Sequence, residues 1–132
     1  MKTIWLCIQA GIAGSGGVIG FLIGEIDGLI AVLVIFTVFD YLTGVIRAII
    51  EKKLSSTMGF KGLAKKIMLF VLVAVSSQLD TYLLGGNDML RTAVIFFYIA
   101  NESISILENA ASIGVPIPDK LKEILKQIHS KK

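Results

Sequence analysis

Residues 29–39 read LIAVLVIFTVF, an apolar run without a charged residue. A helix on the surface of a soluble bundle carries charged or polar residues along its outer face, and this run offers almost none. With its continuation to Ile50, the stretch has the roughly 20 residues that a helix needs to cross a hydrocarbon layer of about 30 Å. We therefore interpret Leu29–Ile50 as a membrane-spanning helix.

Three further apolar stretches of similar length accompany this one. Hydrophobic residues make up 55% of the 132 residues and the mean hydropathy is +0.79, which is more apolar than a soluble domain of this size. The four predicted spans are Thr3–Gly24, Leu29–Ile50, Leu63–Leu84 and Arg91–Ile113. We predict an all-α membrane protein, with a multi-pass bundle of four spanning helices in residues 1–117 and a short basic amphipathic tail in residues 118–132.

The first stretch allows two other interpretations. Lys2 precedes the apolar run and small residues occupy positions 13–15, a pattern that secretory signal peptides share. The apolar run resumes at Val18–Ile23 and no exported soluble body follows, which favours a span. In an alternative arrangement of three spans, Thr3–Gly24 lies at the membrane surface or translocates its N-terminus. Cys7 is the only cysteine, so neither a disulfide nor a cysteine metal site is predicted.

The lysines are grouped on one side of the predicted membrane domain. They follow the second and fourth spans, whereas the opposite turns carry the acids Glu25, Asp27 and Asp88. Because basic loops favour the cytoplasmic side, we predict that both termini are cytoplasmic. The residues that orient the helices or lie at the membrane surface are Lys52, Lys53, Lys61, Lys65, Lys66, Lys120, Lys122 and Lys126.

Turn-forming residues mark the ends of the predicted helices. Leu54–Gly62 is predicted to be a short loop in which Ser55–Thr57 can cap the following helix, since Gly59 and Gly62 interrupt the helical pattern. Gly114–Pro118 ends the fourth span. The apolar face of the tail consists of Leu121, Ile124, Leu125 and Ile128. We expect this face to lie on the anionic leaflet or, alternatively, the tail to be solvated or bound by a partner.

Glycines recur along one face of the first span. Gly16, Gly20 and Gly24 are spaced four residues apart, and such small residues let two membrane helices approach closely. Gly44 is a further candidate packing position in the second span. The pattern favours oligomerisation through this face, although glycine is also simply common in membrane helices.

Polar residues interrupt the apolar spans at depths where an unpaired charge costs on the order of 3 kcal/mol or more. Asp40 and Arg47 lie in the second span and Asp80 lies in the third. The fourth span has a polar stripe within a sector of about 120°. The stripe consists of Asn101, Glu102, Ser105, Glu108, Asn109 and Ser112. It must turn away from lipid, either to pack against Asp40, Arg47 and Asp80 in a closed bundle or to line water between copies of the chain.

Few residues are suited to catalysis or ligand chemistry. Glu102 and Glu108 could suggest acid–base chemistry, but the sequence has little else with which to build a polar pocket around them. His129 is the only histidine and lies near the C-terminus. The lysines have no interleaved aromatic residues of the kind that bind nucleic acid. We therefore predict no enzyme activity, no metal, no cofactor and no nucleic-acid partner.

The chain resembles the holins of the phage-lysis and clostridial toxin-secretion type. The resemblance covers about Asp40–Lys122 and depends on several motifs in a fixed order. These are Asp40–Gly44, Ser55–Ser56 with Lys61–Gly62 and Lys65–Lys66, Tyr98–Glu102 with Ser105–Asn109, and Gly114–Pro118. No matching motif occurs in the first 35 or so residues, so the predictions for the first span depend on physical arguments alone.

The resemblance implies a protein of the bacterial cytoplasmic membrane that self-assembles into lesions. Its partners would be the lipid bilayer and further copies of the chain, and a cell-wall hydrolase or a toxin would pass through as cargo, leading to host-cell lysis or toxin release. Two alternatives stay open. One is a small ion channel or transporter that uses Asp40, Asp80 and Glu102 as ion sites, and the other is a non-conducting membrane subunit that recruits a partner.

Overall fold

The computed structural model describes residues 1–130, except for the side chains of residues 125 and 128–130. The described part contains five helices and no strand. The helices are α1 (Lys2–Ile23), α2 (Gly28–Ile50), α3 (Ser56–Tyr82), α4 (Met89–Ile113) and α5 (Asp119–Ser130). The prediction of an all-helical protein is confirmed.

Three of the described helices, α1, α2 and α4, are long and apolar enough to cross a membrane, judged by length and composition. The 27-residue helix α3 is longer, but Lys61, Lys65 and Lys66 fall in its first half and Asp80 lies near its end. In the three-span alternative predicted from the sequence, the helix that does not cross the membrane is the first one and not the third. The number of helices that cross the bilayer, four or three, stays a prediction.

Side-chain caps define where α2 and α3 begin. The Asp27 carboxylate accepts a hydrogen bond from the Ile30 amide (3.1 Å), and the Ser55 hydroxyl accepts one from the Met58 amide (3.1 Å). The predicted capping by Ser55 is therefore confirmed. Each bond satisfies an amide that has no partner inside its helix.

The predicted loop over Leu54–Gly62 is wrong, because α3 begins at Ser56 and continues through Gly59 and Gly62. These glycines lie against Tyr41 of α2, whose hydroxyl donates to the Gly59 carbonyl (3.3 Å). A Cβ atom at Gly62 would lie 3.7 Å from the Tyr41 ring. The glycines thus give room to an aromatic side chain on a neighbouring helix, and this tertiary contact outweighs their low helix propensity.

Helices α2, α3 and α4 form the centre of the bundle. Contacts between α2 and α4 join Asp27 to Arg91 and Asp40 to Ser105, at sequence separations of 64 and 65 residues, so the two helices run parallel. Helix α3 runs antiparallel to α4, since Lys66 contacts Glu102 whereas Asp80 contacts Arg91. The polar groups of the three helices therefore meet at matching levels.

Helix α1 lies at the edge of this three-helix centre. It has no buried residue, and it is held near its C-terminal end, where Ile23 packs against the apolar core and main-chain carbonyls accept hydrogen bonds. There the Gln78 side chain of α3 donates to the carbonyls of Phe21 (2.9 Å) and Leu22 (3.2 Å). Most of α1 is left free to contact lipid or another protein surface.

The apolar core is small and lies between two polar layers. Its buried members are Ile30, Leu33, Leu69, Val73 and Ile95. Many other large apolar side chains point outward, among them Phe39, Leu42, Phe60 and Phe97. An exposed apolar surface of this extent is typical of a protein whose solvent is a lipid bilayer.

Of the three glycines predicted to lie on one face of the first span, two lie on α1 and the third follows its end. Gly16 and Gly20 lie on α1 with open space beside them, so their role in assembly stays a prediction. Gly24 is not part of a helical face, because α1 ends at Ile23 and Gly24 has a φ of +96°. A Cβ atom there would lie 2.8 Å from Arg91 Nε, so Gly24 permits the close approach of that side chain. Gly44 lies near α4, where a Cβ atom would be 3.7 Å from the Asn109 amide nitrogen.

The tail forms the predicted amphipathic helix, α5. Its described apolar residues Leu121 and Ile124 are exposed. Its lysines Lys120, Lys122 and Lys126 are exposed as well. The side chains of Leu125 and Ile128, and residues 131–132 of the predicted tail, lie outside the described residues. Whether the tail is cytoplasmic and lies on the membrane stays a prediction.

A cluster that we call the loop clamp, formed by Arg91, Asp27 and Asp80, joins the two connections at the end of the bundle opposite the lysines. The Arg91 side chain is only 2% exposed. Its guanidinium donates to the Ile23 carbonyl (2.7 Å), the Glu25 carbonyl (2.6 Å) and the Asp27 carboxylate (3.1 Å). The planar guanidinium group of Arg91 therefore joins the α1–α2 connection to α4.

Asp80 completes the loop clamp by capping α4. Its carboxylate accepts from the amides of Arg91 (2.6 Å) and Leu90 (3.2 Å). Asp88, which precedes the helix, makes no capping bond and has a left-handed backbone conformation. A carboxylate from a neighbouring helix thus supplies the negative charge that favours a helix N-terminus.

Asp27 lies outside the spans and keeps its charge within the loop clamp. Burial acts to raise the pKa of this carboxyl, but hydrogen bonds from the Ile30 amide and the Arg91 guanidinium outweigh it and hold the pKa below its usual value. A carboxyl with a lowered pKa stabilises the fold above the ordinary carboxyl range. That contribution is lost as the pH falls through the lowered pKa.

We expect Arg91→Lys to lower the free energy of unfolding by about 2–4 kcal/mol, because an ammonium group cannot replace the planar fork that reaches three acceptors. The matched control is Arg47→Lys, since the Arg47 side chain is 38% exposed, pairs with Glu51 one turn away and makes one long hydrogen bond, at 3.4 Å, to Asn109. The control should cost about 0–1 kcal/mol. Denaturant unfolding in detergent micelles measures both, and equal losses would contradict the role given to Arg91.

Candidate functional site

Three charged side chains meet in the middle of the bundle, and we call them the ion triad: Asp40 of α2, Lys66 of α3 and Glu102 of α4. The Lys66 ammonium donates to the Asp40 carboxylate and to the Glu102 carboxylate, the latter at 2.5 Å. Asp40 lies twelve residues after the first residue of α2, which places the triad about 18 Å along that helix. Each of the three central helices contributes one member.

A chain of polar side chains extends the triad toward the lysine-bearing end. The Asp40 carboxylate accepts from the Ser105 hydroxyl (2.5 Å) and the Asn109 amide (3.2 Å). Asn109 also donates to the Thr43 hydroxyl (3.0 Å) and accepts from the Arg47 guanidinium (3.4 Å). We call this arrangement of Ser105, Asn109, Thr43 and Arg47 around Asp40 the polar ladder. It binds α2 to α4 over two helical turns.

The side chains of the ion triad are largely shielded from solvent, and their positive and negative charges do not balance. The Asp40 and Glu102 side chains are 9% and 8% exposed, and Lys66 is 20% exposed. With all three groups charged, two carboxylates share one ammonium and leave a formal charge of −1. Hydrogen bonds compensate for burial, because no buried side-chain nitrogen or oxygen in the described part of the chain lacks a partner.

The polar stripe of α4 divides into an inner and an outer part. Glu102, Ser105 and Asn109 face α2 and α3 within the closed bundle, whereas Glu108 and Ser112 are exposed. Asn101 is half-buried and lines an opening between α3 and α4 together with Glu102. A sector of about 120° is wider than the seam that one helix offers its neighbours, so the outer edge of the stripe has no helix beside it.

Of the other predicted polar residues, Asp40 and Arg47 do pack against the stripe. Asp80 does not, because it caps α4 at the far end of the bundle. Its contact with Arg91 could not be read from sequence spacing, since the two residues lie on different helices. The closed-bundle arrangement is therefore present for Asp40 and Arg47, but Asp80 belongs to the loop clamp.

Lys66 is the site residue that sequence reasoning assigned to the wrong environment. It was expected with the other loop lysines at the membrane surface, but its ammonium lies in the interior. Lys52, Lys53, Lys61 and Lys65 are exposed. The missed signal is helical spacing: Lys66 shares one face of α3 with the buried Leu69, Val73 and Asp80.

The residues of the site are suited to holding charge in a membrane. Among the residues that the structure describes, no group of three or more His, Cys, Asp or Glu side chains could hold a metal ion. The ion triad and the polar ladder pair charges and amides, and they offer no activated nucleophile. The side chains of the triad and the ladder can exchange these internal partners for water or for polar groups of another molecule.

We expect Lys66→Met to be the most destabilising single change in the triad. It leaves two buried carboxylates side by side without a counter-charge, and breaking a buried pair in this way costs about 3–5 kcal/mol. Glu102→Gln should cost less, because the amide oxygen can still accept from Lys66. The control is Lys61→Met on the exposed side of the same helix. Thermal unfolding in detergent checks the order, and similar losses for the two lysine variants would contradict it.

Comparison with known proteins gives consistent matches. The model of the bacteriophage holin family matches residues 17–130. A protein of Listeria innocua is 48% identical over 120 residues, covering 91% of this chain and 85% of the relative. A 14.9 kDa protein of Clostridium perfringens is 44% identical over 132 residues and covers both chains fully. No solved structure matches the chain.

One relative has a functional name. The probable holin of Bacillus phage phi105 is 40% identical over 110 residues, covering 83% of this chain and 80% of the relative. The resemblance drawn from the sequence motifs is confirmed, and the family match begins at residue 17, well before the first of those motifs. Because the family model covers most of the chain and a probable phage holin aligns along its length, the chain belongs to the bacteriophage holin family.

Proposed function

We propose that this chain accumulates in the bacterial cytoplasmic membrane as a closed bundle and then self-assembles into lesions through which a cell-wall hydrolase or a toxin leaves the cell. The observation that carries the proposal is the ion triad, a set of charged groups held at mid-bundle in a chain with an apolar outer surface. Membership of the holin family supports it. The chain is proposed to form holes and to catalyse nothing.

The closed bundle supports the first half of this proposal. Charges inside a membrane need water or a partner, and the ion triad and the polar ladder supply partners within one chain. Among the described residues, the apolar core that accompanies them has five buried members, of which Leu33, Val73 and Ile95 are fully buried. Few apolar contacts therefore have to be broken when the three central helices separate.

The opened state follows from the same groups. If α4 leaves both α2 and α3, then Glu102 loses Lys66, and Ser105 and Asn109 lose Asp40. These side chains must then face water or another copy of the chain. Glu108 and Ser112 already lie exposed on the neighbouring edge of α4. A ring of such helices would present one continuous polar wall to a water-filled lesion and an apolar wall to lipid.

Helix α1 provides a surface for assembly. Gly16 and Gly20 have open space beside them, and α1 has no buried residue in the single chain. Small residues at this spacing permit close packing of two membrane helices. We propose that α1 faces meet between copies, that the lysine-rich connection and the C-terminus are cytoplasmic, and that the cargo passes through the lesion without forming a stable complex.

We expect Glu102→Leu with Glu108→Leu to abolish lesion formation while leaving membrane insertion intact, because the polar wall loses both carboxylates and Lys66 keeps Asp40 as a partner in the closed bundle. The measurement is release of a cytoplasmic reporter enzyme from induced bacteria, with membrane fractionation for insertion. Ser103→Ala is the matched control on the same helix, since the Ser103 hydroxyl donates to the Ile99 carbonyl within α4.

Full enzyme release by the double variant would contradict the proposed role of the stripe. Loss of small ions from cells expressing the unmodified chain, without release of the reporter enzyme, would instead indicate a channel. The single variants Glu102→Leu and Glu108→Leu separate the buried part of the stripe from its exposed edge. We expect the loss at Glu102 to be the greater of the two.

We expect Gly20→Leu to shift chemically cross-linked membranes toward smaller oligomers, because the leucine side chain keeps two α1 helices apart. Replacement of the neighbouring, exposed Val18 by Leu serves as the control for bulk on the same helix. Identical cross-linking ladders for the two variants would remove α1 from the assembly surface.

A further inference from the structure

A cavity of about 260 Å³ opens between α2 and α3 at the lysine-bearing end of the bundle. It reaches from the ion triad, where Asp40 and Lys66 line its inner end, to the α2–α3 connection at Lys53 and Leu54. Side chains of α4 close its back through Ser105 and Asn109. Neither the polar stripe nor the loop clamp accounts for this space, which we call the basic cavity.

The charge of the basic cavity is positive. Its lining contains Lys53, Lys65 and Lys66 against one acid, Asp40, so the formal charge of the lining is +2. Lys66 is committed to Asp40 and Glu102 in the ion triad. Lys53 and Lys65 are exposed and form no ion pair with any residue that the structure describes. Two ammonium groups are therefore available to an anion at the rim of the cavity.

Apart from Asn109, the rest of the lining is mostly apolar or small. It includes Tyr41, Val45, Ala48 and Met58 together with glycines of α2 and α3. A second groove of about 290 Å³ adjoins the cavity, and both are lined by Tyr41 and Lys66. The other residues of the groove are Thr37, Val38, Leu42, Leu63, Ile67 and Phe70. The shared walls place a basic rim next to an apolar groove along α2 and α3.

We propose that the basic cavity binds an anionic glycerophospholipid, with its phosphate at Lys53 and Lys65 and an acyl chain in the groove beside Leu42 and Phe70. Basic pockets between membrane helices on the cytoplasmic side bind anionic lipid headgroups by charge attraction. The volume of the cavity suits a headgroup rather than a whole lipid, and the adjoining groove supplies the apolar surface for the chain. A free inorganic anion would use the lysines but leave the groove unused.

The position of the lysines fits the depth of a lipid phosphate. Lys53 lies in the α2–α3 connection, and Lys65 belongs to the first half of α3. Side chains of a helix tilt toward its N-terminus, so the long stem of Lys65 points toward the same end of the bundle as Lys53. Both ammonium groups can therefore reach the interface while their stems lie beside apolar residues.

The test compares lipid adducts of the purified full chain by native mass spectrometry after exchange into detergent with phosphatidylglycerol or phosphatidylcholine. We expect the unmodified chain to retain phosphatidylglycerol preferentially. Lys53→Gln with Lys65→Gln should reduce that preference on the order of tenfold, because each lysine near an anionic lipid contributes to the attraction. The matched control is Lys52→Gln with Lys61→Gln, which removes the same charge outside the lining.

Three results would overturn the proposal. The first is equal retention of the two lipids by the unmodified chain, and the second is the same loss of preference in both double variants, which would indicate general surface charge. The third is displacement of phosphatidylglycerol by millimolar inorganic phosphate, which would identify a simple anion site. A further variant, Val45→Trp, fills the cavity without changing charge, and we expect it to reduce retention as well. Circular dichroism in detergent establishes that each variant folds.

Discussion

The need to pair charges inside an apolar solvent determines the arrangement of the central helices. The contacts of Lys66 with Asp40 and Glu102 bring α2, α3 and α4 together at one level near the middle of the bundle. The loop clamp sets the same register at the other end through Arg91. With these two polar layers in place, a small apolar core suffices between them. The fold is therefore specified more by polar pairing than by hydrophobic burial.

Much of the fold could be predicted because apolar runs and caps are local signals. The uncharged run at 29–39 identifies α2, and Ser55 identifies the start of α3. Gly59, Gly62 and Gly24 were misread for one physical reason. A glycine in a sequence can mark the end of a helix, a packing surface or a residue with positive φ. The neighbouring side chain that distinguishes these roles, Tyr41 or Arg91, comes from a distant part of the chain.

The site was predicted in part. Helical periodicity selects Glu102, Ser105 and Asn109 on α4, and Asp40 is conspicuous by its depth in α2. Their common partner, Lys66, was hidden because a lysine that follows a cytoplasmic loop ordinarily orients the helix. The loop clamp was equally hidden, since its strongest bonds go to carbonyl groups that carry no sequence signature. Contacts between side chains of different helices depend on the tertiary structure, and a single sequence does not show which residues are in contact.

Those carbonyl bonds have a consequence for how this protein can change over time. Arg91 and Gln78 hold the end of α1 by main-chain oxygens of residues 21–23 and 25. The side-chain requirements of this attachment are limited to Ile23, which packs against the core, and Gly24, which leaves room for Arg91. The outward surface of α1 is thus uncoupled from its attachment. A lineage could replace almost every side chain of that helix, and so alter which neighbours it selects and how readily, while the bundle that carries it stays the same. The outward side chains of the first helix can therefore vary while its attachment to the bundle is kept.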